Sequence, residues 1–363
     1  MRTADEELPG FDLAARLVEL CGYLSVTGQE APLADALADE YADEALVRVG
    51  DNLIVGEPDE RPLVLLVGHL DVVPPTEADA TPRIERRPDG VIVVGRGTSD
   101  MKGGIVVAEA VFRDTALRSL SPYAPVLVLY SGEEGPEERN GLAEVLSAVP
   151  WLKEAGLAIV LEATDLEVHL GCLGGLHARL TFLGRQAHSA RPWSGDNALT
   201  KAGETLAEIH RRSPVDVHVD GILYREVLTA TQAWTDNARN LVPGRFNVNL
   251  NYRFAPNRGL DEAEAELRAW VGGRGAVEVV DRAPPAPPLL DSPLVGAFRR
   301  AAAARVAGKQ AWTDVARFSA AGVPALNYGP GLTSQSHQVG EYVPLANLHL
   351  AVQRLRRFLS DSR

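Results

Sequence analysis

Leu63-Val64-Leu65-Leu66-Val67-Gly68-His69-Leu70-Asp71 is an apolar run that ends in glycine, a histidine and an aspartate. An apolar run closed by glycine reads as a strand buried on both faces, the habit of parallel sheets. Two later stretches repeat the pattern. Pro125-Val126-Leu127-Val128-Leu129-Tyr130 runs into Glu133 and Glu134, and Leu157-Ala158-Ile159-Val160-Leu161 runs into Glu162. Open α/β sheets bind their ligands at the carboxyl ends of such strands. The three strand ends are therefore expected to converge, and a histidine among carboxylates is a ligand set that zinc accepts.

Outward from this stretch, apolar spacing predicts helices over residues 11–22 and 30–43, with Thr27 or Gln29 near the start of the second. A strand is expected at 91–94 and a helix from Met101 to about Leu117. Strand alternating with helix predicts an α/β fold, a mixed and mostly parallel sheet with helices on both faces. The pattern changes after Cys172. Residues 175–183, 227–234 and 245–252 alternate in polarity, with helices expected at 196–212 and 260–271. That order suits an inserted, smaller ferredoxin-like α+β unit whose sheet is covered on one face. Arg282-Ala283-Pro284-Pro285-Ala286-Pro287-Pro288 reads as a stiff linker. Helices at 292–305, 314–321 and 345–359, with a strand over 324–327, then return the chain to the first domain. The expected division is 1–172 with 283–363, and 173–282 between them.

At 363 residues the chain has room for two cores. Its net charge of −13, from 49 acidic and 36 basic residues, argues against nucleic acid or an anionic membrane as partner. No apolar stretch reaches the roughly 18–20 residues that span a bilayer, and the acidic start Met1-Arg2-Thr3-Ala4-Asp5-Glu6-Glu7 lacks a signal-peptide core. Cys21 and Cys172 are too few for a disulfide framework and read as packing residues of a cytoplasmic protein.

Each candidate site residue has a plain reading beside the chemical one. Asp71, two residues after His69, could fix that ring's tautomer if His69 binds a metal. Asp100, in Gly95-Arg96-Gly97-Thr98-Ser99-Asp100-Met101-Lys102-Gly103-Gly104, could bridge two metals or simply cap the following helix. Glu133 and Glu134 could be solvated loop residues. At a buried strand end, alternation lets one hold a metal while the other serves as general base. Glu162 follows the same logic. His188 and His337 lie in loops, where a lone histidine is commonly surface; His169, His177, His210, His218 and His349 are read as surface.

Together, Gly68-His69-Leu70-Asp71-Val72-Val73-Pro74, the Gly95–Gly104 run, Ser131-Gly132-Glu133-Glu134-Gly135 and Ser336-His337 resemble the M20 metallopeptidase family, in its order. Within it, Ala187-His188-Ser189-Ala190-Arg191-Pro192-Trp193, Asn251-Tyr252-Arg253-Phe254-Ala255-Pro256 and Trp312-Thr313-Asp314-Val315-Ala316-Arg317-Phe318 are similar to the branch that hydrolyses N-succinyl-LL-2,6-diaminopimelate. The resemblance implies a zinc-dependent amidohydrolase that removes an acyl group from an N-acyl amino acid. Acetylornithine, acyl-lysine and dipeptide hydrolysis are the neighbouring activities, and a non-catalytic binding protein of the same fold is the distant one. It also implies two zinc ions, for which cobalt could substitute. His69 and Glu162 would hold one, Glu134 and His337 the other, and Asp100 would bridge. Glu133 would be the base and Asp71 the partner of His69. His188 would act from a lid that also forms a homodimer, and Arg253, Asn240 and Thr313 would bind substrate carboxylates. Two stretches depart from the branch's usual pattern: residues 74–90 lack its Trp and Pro-Phe, and Gln310-Ala311-Trp312-Thr313-Asp314 replaces its Ser-Gly-Gly-Thr-Ser-Asp.

Overall fold

The computed structural model describes residues 11–361. The chain forms two compact units. The first comprises the chain up to Leu170, then Leu289–Ala307 and everything from Arg317 onward; the second comprises Gly171–Pro288 and Gly308–Ala316. Residues 308–316, expected in the first domain, cluster with the second. Gln310 explains this: its side chain accepts from the Arg225 amide at 2.8 Å and donates to the Leu223 carbonyl at 3.0 Å.

In the first unit the strands Ala124–Tyr130, Leu63–His69, Leu157–Val160 and Ala325–Asn327 lie side by side and parallel. Asn52–Val55 joins one edge antiparallel, with Leu46–Val49 outside it; Val168–Cys172 flanks the other edge antiparallel. The four parallel strands are buried at every residue, so both faces of the sheet are covered. The expected mixed α/β architecture is thus present. The short edge strands, and a separate antiparallel sheet of Arg83–Arg87, Gly90–Val94 and Tyr342–Pro344, carried too little apolar pattern to be anticipated, Gly90–Val94 apart.

The helix expected from Met101 to about Leu117 is broken in two, Lys102–Phe112 and Thr115–Leu120. Asp114 breaks it, because its carboxylate caps the second piece by accepting the Leu117 amide at 2.9 Å. Lys102–Phe112 is buried on every side, Glu109 included. Arg16 makes that burial tolerable by laying its guanidinium across both Glu109 oxygens, each contact 2.8 Å, while the Tyr41 hydroxyl adds a third bond.

The second unit is an antiparallel sheet in the order Val215–Val219, Ile222–Trp234, Arg245–Phe254, Gly174–Leu183, Ala276–Ala283. Set aside the edge strand Val215–Val219. The other four then lie in the spatial order fourth, first, third, second, which is the ferredoxin-like arrangement. Leu176, Ala178, Leu180, Val248 and Leu250 face a core shared with Ile209, Leu267 and Val271 of the helices. The alternate residues His177, Arg179, Asn249, Asn251 and Arg253 face away from it and are half-buried. The Pro-rich run is less free than a linker, since Ala286 exchanges backbone hydrogen bonds of 3.0 and 3.2 Å with Cys172.

Candidate metal centre

All five residues expected to hold metal, with Asp71 and Glu133, lie in the first unit. His69 ends the strand Leu63–His69 and is fully buried. Its Nδ1 lies 3.0 Å from the main-chain oxygen of Asp71. A carbonyl can only accept, so in the neutral ring Nδ1 carries the proton and Nε2 the lone pair. Nε2 is buried without a hydrogen-bond partner, 3.4 Å from Asp100 Oδ1 and 3.8 Å from Glu162 Oε1. The expected link between His69 and Asp71 is thus made by the carbonyl. The Asp71 carboxylate stands 3.6 Å from Nδ1 and accepts instead the amides of Glu133 and Glu134, each at 3.0 Å.

Asp100 does not cap the helix. The N-cap of Lys102–Phe112 is Met101, and no side chain bonds there. The helix start is drawn close to the strand end by Gly104, where a Cβ would lie 2.2 Å from the Leu161 carbonyl oxygen. Asp100 and Glu162 are brought to the same side of His69 by that approach. Asp100 Oδ2 looks the other way, 3.7 Å from His337 Nε2. His337 Nε2 lies 2.9 Å from Glu134 Oε1, and its backbone is held at φ +62, the left-handed region that L residues seldom adopt without reason.

The result is three interlocking groups, each with ligand atoms within 4.8 Å of one another: His69, Asp100, Glu162; His69, Glu133, Glu134; and Asp100, Glu134, His337. So many carboxylates at one mostly buried place repel unless cations separate them. Burial, the largest influence on His69, would lower its pKa, yet the facing Asp100 carboxylate and the charges of Glu133, Asp71 and Glu162 raise it well above the usual histidine range. Hydrogen bonding to Glu134 raises His337 likewise. Each ring attracts a proton where a divalent cation would serve better. An orphaned imidazole nitrogen aimed at two carboxylates, and an Asp whose two oxygens face two histidines, fit bound metal.

Sequence reasoning missed the supports. Glu341, fully buried, accepts from the amides of Gly97 (3.1 Å), Ser99 (2.8 Å) and Asp100 (3.0 Å) and from Arg96 Nη1 (2.9 Å). Asp79 holds the other arm of Arg96 at 3.3 Å and the Gly340 amide at 2.8 Å. This ties the Asp100 loop to the chain four residues beyond His337. The only signal was an acidic residue between Gly340 and Tyr342, which no periodicity marks.

The remaining candidates lie in the second unit. His188 lies in a two-stranded antiparallel ribbon that pairs Ala187–His188 with Leu241–Val242, and next to it the Ser189 amide donates to the Asn240 carbonyl at 2.8 Å. Exposed His188 accepts the Ala190 amide at Nδ1, 3.0 Å, which leaves Nε2–H as a donor in the neutral ring. Arg253 is half-buried, and its guanidinium makes no hydrogen bond or ion pair among the described residues; burial lowers its pKa. Thr313 is buried with Oγ1 unpartnered.

A parallel α/β sheet whose strand ends gather histidine and carboxylates presents a candidate metal site. Residues 65–361 match peptidase family M20/M25/M40, and the chain belongs to that family, as a hydrolase of amide bonds. It is 36% identical over 355 residues to a Mycobacterium tuberculosis protein called putative succinyl-diaminopimelate desuccinylase, covering 96% of this chain and 97% of that one. It is 35% identical over 373 residues to the succinyl-diaminopimelate desuccinylase of Corynebacterium glutamicum, covering 97% and 98%. Its fold is similar to a Staphylococcus aureus tripeptidase at a TM-score of 0.76 and 18% identity, covering 96% of this chain and 97% of that one. An M20 family metallo-carboxypeptidase from Sulfolobus solfataricus gives 0.72 and 16%, covering 96% and 98%. Among the described residues no helix is long and apolar enough to cross a membrane.

Proposed function

We propose that this chain is a two-zinc amidohydrolase that cleaves N-succinyl-LL-2,6-diaminopimelate to LL-2,6-diaminopimelate and succinate. The observation that carries the two-metal reading is Asp100, whose Oδ1 faces His69 and Oδ2 faces His337. His69 and Glu162 would hold one zinc, Glu134 and His337 the other, and Asp100 would serve both. When bound, the metals supply polarisation of the amide carbonyl and a water pKa lowered toward about 7. Glu133 takes the water's proton on its carboxylate and returns it to the leaving nitrogen. Its backbone is held by Asp71, so the carboxylate swings only about its own side-chain torsions.

The substrate assignment is supported by the names of the two relatives and by Arg253, a half-buried guanidinium that makes no hydrogen bond or ion pair among the described residues and has a fork that matches a carboxylate. Asn240 and Thr313 complete the carboxylate contacts in this reading. A panel of N-acyl amino acids tests it with the zinc-loaded protein. The succinylated diamino acid should be turned over fastest, by at least about tenfold in kcat/KM, a difference of one polar contact or more. Faster hydrolysis of N-acetylornithine or of a dipeptide would reassign the substrate.

In the same reading the first unit is the catalytic domain and the second a lid through which two chains pair in the cytoplasm. His188 then offers its Nε2–H to the carbonyl oxygen in the partner's site. Chains carrying His188→Ala, mixed with chains carrying Glu133→Gln, should recover part of the parent activity, because one site of each hybrid is intact. Recovery of none in verified hybrids would place His188 in its own chain's site.

A further inference from the structure

The turn Ser25–Glu30 looks in sequence like a helix start, with Thr27 near its beginning. Its side chains do other work. The N-cap of Ala31–Glu40 is Glu30, and no side chain bonds to the helix end there. Thr27 Oγ1 instead donates to Asp71 Oδ2 at 2.9 Å. That fully buried carboxylate is the one that accepts the Glu133 amide on Oδ1 and the Glu134 amide on Oδ2. Glu30 Oε1 accepts the next amide back, Gly132, at 3.1 Å. The main chain is stitched to the same place: Val72 N donates to Ser25 O at 2.9 Å, Thr27 N to Val72 O at 3.3 Å, and Ser25 Oγ to Leu70 O at 2.6 Å. The Thr27 methyl packs on Gly135, where a Cβ would sit 2.8 Å from Cγ2.

We propose that Thr27 is a positioning residue which, acting through Asp71, aims the adjacent Glu133 and Glu134; the proposal rests on the reading of Glu133 as base. The Asp71 carboxylate has two calls on it. Oδ1 is 3.0 Å from the Glu133 amide but only 3.6 Å from His69 Nδ1, so a modest rotation would exchange one for the other. The Thr27 hydroxyl fixes Oδ2 and thereby the plane of the carboxylate. Both glutamate amides hang on that plane, and reacting groups displaced by about 1 Å can lose about a hundredfold in rate. The Ser25–Glu30 turn thus works as a bracket beneath the strand ends after His69 and Tyr130.

Thr27→Val tests this, since valine keeps the branched shape and the methyl against Gly135 while removing the hydroxyl. On the best substrate of the panel, kcat should fall about tenfold or more, the effect of one hydrogen bond to a charged group. At saturating zinc KM should stay within about twofold, the protein should remain metal-loaded, and Tm should fall by no more than the few degrees that one lost hydrogen bond costs. Thr27→Ser should restore kcat to within about twofold, whereas a purely structural role would not follow the hydroxyl. Glu133→Gln is measured alongside. If Glu133→Gln is crippled and Thr27→Val is within about twofold of the parent, or if serine fails to rescue, the bracket is refuted. Near-normal turnover by Glu133→Gln would instead refute the base assignment, and this role of Thr27 with it.

Discussion

Glu133→Gln is expected to lower kcat by about 10²–10⁴-fold, the usual effect of removing a general base, with metal content unchanged. The amide keeps the shape and polarity of the side chain but cannot accept a proton at neutral pH. The adjacent glutamates are distinguished by their surroundings. Glu134 Oε1 is 2.9 Å from His337 Nε2 and shares a group with Asp100 and His337, whereas Glu133 enters only the group with His69. Glu134→Gln should therefore lose metal as well as rate. Turnover and metal analysis on the two variants check this. If Glu133→Gln is the variant that loses metal while Glu134→Gln keeps it, the two roles are exchanged.

The second large effect is expected at Asp100. It belongs to two of the three ligand groups, one on each side, so Asp100→Ala removes an oxygen from the surroundings of both proposed ions at once. It also leaves His69 with Glu162, and Glu134 with His337, without the carboxylate that faces both histidines. Affinity at both positions should drop by more than the 10–100-fold seen when an outer partner of a metal ligand is lost. Glu162→Ala, by contrast, touches one group and should spare the second ion. Zinc titration followed by calorimetry separates the outcomes. Unequal loss in Asp100→Ala, with one site near parent affinity, would mean that Asp100 serves a single metal.

Much of this was legible because the information is local. A run such as Leu63–Val67 is buried on both faces in the structure as its composition demands, and the polar residue at its end can only emerge at the sheet's carboxyl edge. The alternation of 245–252 likewise marks one covered and one open face. What could not be read depends on long-range pairing. Nothing near Asp71 in sequence says that its carboxylate will hold amides 62 and 63 residues away, or that Glu341 will hold Gly97 across 244. Asp114 was passed over because a cap in the middle of an apolar-rich stretch looks like one more polar residue. Gln310 shifted a segment between units through two side-chain bonds, which composition does not record.

Two metals in one cluster, with Asp100 between them, is the state proposed for the loaded protein. Anomalous diffraction at the zinc edge, on crystals of protein purified without chelator and saturated with zinc, measures this directly. The expected result is two peaks per chain, one beside His69 and Glu162 and the other beside Glu134 and His337, with an Asp100 oxygen on each. A single peak in the cluster at saturation, or none, would contradict it.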